Sequence, residues 1–157
     1  LIVVTADHET GGIVLGTGKY ALNLKALQHQ KHSADGLSKR ISELRKSKGN
    51  KVTWEDMKTF LGEEMGFWKQ FPISWEQEKK LRDEFEKSFI KNKVVFAESM
   101  YSKSEPMAAC AKEVMDEISM VGWVSGGHSA GLSGTGNRFL RERSRRGAAF
   151  LHTVSCL

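Results

Sequence analysis

The chain has 157 residues, of which 27% are charged and 9% are aromatic, and this composition is typical of a globular protein with one core. No apolar run approaches the roughly 20 residues needed to span a bilayer, and no signal peptide is recognisable. The net charge is +5, but residues 132–157 alone hold five Arg, no Lys and one acid, so the basic character belongs to this tail. The two cysteines, Cys110 and Cys156, lack metal-ligand spacing and do not fix the redox compartment.

The first segment that carries chemistry is LIVVTADHETGG, at the start of the chain. The apolar run of residues 1–5 predicts a buried strand, and Asp7 and His8 follow it before two glycines. Ligands of open α/β sheets bind at the carboxyl ends of such strands, and a carboxylate beside an imidazole suits zinc. The alternative is a strand that simply ends in polar turn residues, so a second ligand segment is needed.

The middle of the chain is predicted to be helical over residues 22–121. It follows residues 13–18, which are predicted to be a second short strand or an extended excursion from the first. Four residues with side-chain oxygens precede apolar residues at helical spacing and are predicted to be N-caps, namely Ser33, Thr53, Ser74 and Ser104. Five aromatic residues are predicted to form the core of this helical block rather than a stacking platform for nucleic acid: Trp54, Phe67, Trp68, Phe71 and Trp75. The run KSKGNK at residues 46–51 is predicted to be a solvated helix end.

The second segment that carries chemistry is GWVSGGHSAG, at residues 122–131. Trp123 and Val124 are predicted to start a strand, and His128 follows among glycines and small residues. Glycines let the backbone approach a bound ion or phosphate closely. A histidine in such a loop is either an ordinary surface residue or a metal ligand, and the Asp-His pair elsewhere favours the second interpretation.

Together, TADHETGG at residues 5–12 and GWVSGGHSAG resemble the bacterial alkaline phosphatase family, in the branch with a large helical insertion between the motifs. The resemblance implies an α/β fold: an alkaline-phosphatase-like core fragment with few strands and a large, mainly helical insertion. It also implies metal-dependent hydrolysis of phosphate monoesters through a phosphoserine, with two zinc ions and one magnesium ion. By the same resemblance, Asp7 and His8 bind the zinc that activates the serine, and His128 binds the other zinc.

The sequence departs from the family because no motif matches its catalytic serine, its phosphate-binding arginine or its other metal ligands. The chain therefore resembles the C-terminal portion of the enzyme, offers no catalytic residue, and is expected to be inactive alone. Four segments are predicted: a core strand with a metal-ligand loop (1–21), a helical insertion (22–121), a second metal-ligand loop (122–131) and an aberrant basic tail (132–157). The resemblance further implies a small phosphate monoester as substrate, a homodimer, and a periplasmic or extracellular location.

The basic tail does not match the apolar strand that follows the second motif in the family. Codons compatible with Leu132 to Arg138, read one base later, encode Tyr-Pro-Val-Pro-Ala-Ile-Gly, which is similar to that strand. We therefore interpret the tail as a frameshifted reading, and expect no specific nucleic-acid binding. The alternative is a non-catalytic helical interaction module with an Arg-rich tail that binds nucleic acid, although this leaves both histidine motifs unexplained.

Overall fold

The computed structural model describes residues 10–18, 21–91, 97–98, 103–125 and 127. The chain divides into two compact units, one formed by Val14–Gly122 and the other by the residues up to Ile13 together with those from Trp123 onward. The described helices are α1 (Leu24–Leu27), α2 (Ala34–Ser47), α3 (Trp54–Glu64), α4 (Trp75–Phe85), which continues as a π-helix (Glu86–Ile90), and α5 (Pro106–Ser119). None of these helices is long and apolar enough to cross a membrane.

Local capping explains where three of the helices begin. The Ser33 hydroxyl accepts a hydrogen bond from the backbone N–H of Gly36 at the start of α2. Thr53 with Asp56 and Ser74 with Gln77 form reciprocal capping boxes, which satisfy backbone N–H groups that would otherwise lack a partner. These three predicted N-caps are confirmed.

The fourth predicted N-cap, Ser104, is wrong. The N-cap of α5 is Glu105, whose carboxylate accepts hydrogen bonds from the backbone N–H groups of Met107 (2.8 Å) and Ala108 (3.2 Å). Pro106 follows in the first turn, where its missing N–H costs nothing. Ser104 instead belongs to a short strand, so the helix begins one residue later than the pattern indicated.

The core of the larger unit is formed by apolar side chains of α2 to α5 and of the loops between them. Its largest fully buried side chains are Phe67, Leu37, Ile41, Met57, Leu61, Met65, Leu81, Met107 and Met115. Four of the five aromatic residues expected in this core are in it or packed against it. Trp75 is the exception, because it begins α4 with 72% of its surface exposed. The core prediction is therefore correct for the cluster and wrong for Trp75.

Four short strands are described, in two sheets of two strands each. β1 (Ile13–Leu15) pairs with β4 (Val121–Trp123), and β2 (Ala97–Glu98) pairs antiparallel with β3 (Lys103–Ser104). The β2–β3 pair interrupts a region that was predicted to be helical, since two-residue strands leave no periodic signal. β4 begins before the predicted Trp123, and the strand predicted over residues 1–5 lies outside the described residues. The described part is thus mainly helical with short strands, and the larger α/β core stays a prediction.

Candidate metal centre

Backbone hydrogen bonds hold the two motif segments together within the smaller unit. The N–H of Gly11 donates to the carbonyl oxygen of Gly127 at 2.8 Å. In return, the N–H groups of Val124 and Ser125 donate to the carbonyl oxygen of Gly11 at 2.8 and 3.1 Å. The Ser125 hydroxyl donates to the carbonyl oxygen of Gly127 at 2.9 Å. Segments that are more than 100 residues apart in sequence therefore meet through paired main-chain groups.

Gly11 allows this approach because it has no side chain. Its φ is +82°, in the left-handed region that L-residues avoid, and a Cβ built on it would lie 2.7 Å from Cε3 of Trp123. The indole of Trp123 thus packs directly on the backbone of the first motif. Packing and backbone geometry therefore both require glycine at position 11, and the positive φ of +60° favours glycine at position 12.

Replacing Gly11 with alanine is expected to destabilise the protein more than the same change at Gly18. Gly18 has the same φ of +82° but no atom within 4 Å of a built Cβ, so Gly18→Ala introduces only backbone strain. Gly11→Ala adds overpacking against Trp123, which we expect to cost about 1–2 kcal/mol more. Urea unfolding of the two variants measures the difference. Equal free energies of unfolding would contradict the close packing.

The three predicted metal ligands, Asp7, His8 and His128, lie outside the described residues. Their nearest described neighbours in sequence are Thr10 and Gly127, which flank the hydrogen-bonded junction. In the part of the chain that is described, no group of three or more His, Cys, Asp or Glu side chains is placed to hold a metal ion. The helical unit therefore offers no competing metal site among its described residues.

The buried carboxylate of Glu64 was not predicted as a site residue, and its partners indicate a structural role. Its Oε1 accepts a hydrogen bond from Arg40 at 3.2 Å. Its Oε2 lies 3.1 Å from Nε2 of His32, an ion pair only when the imidazole is charged. Its backbone carbonyl accepts a hydrogen bond from the N–H of Lys31 at 3.0 Å. Glu64 therefore fixes the loop before α2 to the end of α3.

Glu105 and Arg45 form the second buried ionic contact that the sequence did not reveal. Nη2 of Arg45 lies 3.2 Å from Oε1 of Glu105, and its Nη1 donates to the carbonyl oxygen of Ser88 at 3.3 Å. The guanidinium also lies 3.8 Å above the ring of Phe89. Burial raises the pKa of Glu105, while the N–H groups at the start of α5 and the charge of Arg45 oppose that rise. This contact links α2, the π-helix and α5.

The thiol of Cys110 is not suited to nucleophilic chemistry. Burial raises its pKa to about 12, and the nearby carboxylates of Glu113 and Glu84 act in the same direction. A thiol with such a pKa holds almost no thiolate at neutral pH. Among the described residues, Cys110 is therefore not a candidate nucleophile.

No family model and no curated protein sequence matches the chain. Its fold is similar to that of a cold-active alkaline phosphatase from the psychrophile Shewanella sp., known from a crystal structure, with a TM-score of 0.51 and 18% sequence identity. The match covers 80% of this chain and 25% of the Shewanella chain. The chain thus spans about a quarter of the length of that structure. At this identity the likeness shows the fold: this chain resembles part of an alkaline phosphatase.

Proposed function

We propose that the chain forms part of a metal-dependent phosphatase of the alkaline phosphatase type, which hydrolyses small phosphate monoesters. The observation that carries the proposal is the main-chain junction of Gly11 with Val124, Ser125 and Gly127. This junction joins the two segments whose motifs resemble the family's metal-ligand loops, in a fold similar to part of such an enzyme. The resemblance and the fold support the same function independently.

The residue types of the two motifs fit zinc. Asp7 and His8 would bind one ion, and His128 would bind the other. Each histidine would bind through a ring nitrogen that carries no proton. Zinc held by these residues would supply positive charge that stabilises the leaving oxygen of a phosphate ester. The number of donors is smaller than two closed zinc sites need, since each usually has at least three protein ligands. We infer that further ligands, the magnesium site and the serine nucleophile come from polypeptide outside these 157 residues.

In this proposal, the junction at Gly11 orients the metal ligands. The junction at Gly11 fixes the backbone three residues after His8, and Gly127 immediately precedes His128. A fixed backbone reduces the conformational freedom that metal ligands lose on binding. By resemblance to the family, the complete protein would be a periplasmic or extracellular homodimer, and residues 132–157, which are outside the described part, would be a frameshifted tail.

Zinc-dependent binding of inorganic phosphate tests the proposed function, because phosphate is both the product and a ligand of such a site. Because the ligand set of this chain is incomplete, we expect calorimetric titration to show weak phosphate binding at high zinc concentration, and no binding in the presence of a chelator. Chloride and sulfate at the same ionic strength serve as controls for simple screening. Phosphate binding that is equally strong without metal, or absent even at high zinc concentration, would contradict the proposal. Turnover of an aryl phosphate by the chain alone is expected to be negligible.

A further inference from the structure

The contact between Trp123 and Gly11 is more specific than a generic packing contact. The built Cβ of Gly11 would meet two atoms of the same indole ring, Cε3 at 2.7 Å and Cζ3 at 3.1 Å. The ring therefore occupies the space into which the side chain of any other L-residue at this position would project. Almost half of the Trp123 surface, 48%, is nevertheless exposed. The indole thus packs on a backbone segment while almost half of its surface stays in water.

Trp123 also lies directly beside the hydrogen-bonded junction. Val124 and Ser125, the next two residues, donate their N–H groups to the carbonyl oxygen of Gly11. The indole thus contacts the same residue whose N–H and carbonyl oxygen make the cross-links to the second motif segment. Main-chain hydrogen bonds that are open to water are weakened, because water competes for their donors and acceptors. The ring and the hydrogen bonds act on one backbone position.

We infer that Trp123 is a positioning residue, which sets the separation of the loop that follows Asp7 and His8 from the loop that leads to His128. This inference rests on the proposed function for its consequence, because only then do the two loops carry metal ligands. The role of the indole itself does not depend on a metal: the ring protects the main-chain hydrogen bonds of Gly11 from water and keeps the two loops at a fixed distance. Groups outside a metal site that orient its ligands typically change metal affinity by about 10–100-fold when they are removed.

Amide hydrogen exchange of the intact chain tests the inference without reference to metal. In Trp123→Ala, we expect the protection of the amides of Gly11, Val124 and Ser125 to fall by about tenfold or more. The amide of Met65, which donates to Leu61 in the helical unit, provides the reference and is expected to keep its protection. Trp123→Phe retains an aromatic ring and is expected to restore most of the protection. Trp75→Ala removes an indole that is 72% exposed and serves as the matched control.

The inference is overturned if Trp123→Ala leaves the protection at the junction unchanged, or if Trp75→Ala lowers it equally. A fall at Met65 as well would indicate general unfolding and would also overturn a local role. A double variant gives a second result. Gly11→Ala should cost more stability than Gly18→Ala when Trp123 is present, and the two changes should cost about the same when they are made in Trp123→Ala.

Zinc titration of the same variants separates this inference from the proposed function. If Trp123 positions the ligand loops, Trp123→Ala should bind zinc about tenfold more weakly than the unaltered chain, and Trp123→Phe should recover the affinity. Zinc affinity lost in His8→Ala but unchanged in Trp123→Ala would refute positioning and leave the proposed function intact. If the unaltered chain binds no zinc at all, the proposed function fails, and the exchange results alone decide the role of Trp123.

Discussion

Replacement of His8 or His128 by alanine is expected to weaken zinc binding by about 100-fold or more, since each change removes a direct ligand rather than a supporting group. Asp7→Asn should have a smaller effect in the same direction, because the amide keeps one oxygen but loses the charge that attracts the cation. Zinc binding is measured by competition with a chromophoric chelator. The order of these effects follows from ligand chemistry alone.

His29→Ala provides the matched control for these variants. His29 belongs to the helical unit, where its Cβ packs beside Gly66 and its ring lies 6.0 Å from that of Phe71. No metal-binding group includes it among the described residues. Zinc affinity should therefore be unchanged in His29→Ala. A loss equal to that of His8→Ala would mean that zinc binds to surface histidines and not at the motif segments.

Glu105→Ala is expected to lower the free energy of unfolding by about 3 kcal/mol. The change removes the N-cap of α5 and leaves the guanidinium of Arg45 without its carboxylate. It also disturbs the approach of the Glu105 backbone to α2, where the N–H of Glu105 donates to Oγ of Ser38 at 3.0 Å. Urea unfolding followed by the helical circular dichroism signal measures the loss. A cost below about 1 kcal/mol would contradict a structural role for this buried pair.

Glu117→Ala is the matched control on the same helix. Glu117 accepts hydrogen bonds from Lys80 and Gln77, but 41% of its side chain is exposed, so water replaces much of what the pair provides. We expect its removal to cost less than about 1 kcal/mol. The comparison isolates burial and helix capping as the reasons for the larger effect at Glu105.

The pH dependence of stability follows from the raised pKa of Glu105. Because burial raises the pKa above the ordinary value of 4.5, the folded state holds the proton more tightly than the unfolded state. The contribution of Glu105 is thus most favourable below that ordinary value and is lost as the pH rises through the folded-state pKa. Glu105→Gln keeps an oxygen for capping but cannot ionise, so its stability should lack this decrease. The difference in free energy of unfolding between the unaltered chain and Glu105→Gln should therefore shrink as the pH falls from neutral.

Local interactions made much of the helical unit predictable from the sequence. The capping boxes at Thr53 and Ser74 each involve residues three apart, so the same short pattern that indicates the helix start also forms it. The N-cap Glu105 was missed because Glu is a less common N-cap than Ser, and its ion pair with Arg45 joins residues 60 positions apart in the sequence. A contact at that separation leaves no local pattern. The neighbouring Ser104 was the better N-cap on propensity alone.

The sequence predicts residue types for the candidate site, and these stay a prediction, but it did not reveal how the two motif segments pack. The motifs around Asp7, His8 and His128 suggested that two distant segments meet, and the hydrogen bonds of Gly11 join the described ends of those segments. The position of Trp123 against Gly11 was not predictable, because it depends on a positive φ and on the direction of one side chain. The Gly-Gly pair was the only local signal of such a close approach.

Anomalous diffraction at the zinc absorption edge, from crystals of the zinc-loaded chain, tests the central claim most directly. We expect a zinc peak about 2.0–2.2 Å from a side-chain oxygen of Asp7 and a ring nitrogen of His8, and a weaker second peak at His128, which supplies a single ligand from this chain. Peaks confined to His29, His32 or other residues of the helical unit, with none at these three side chains, would contradict it.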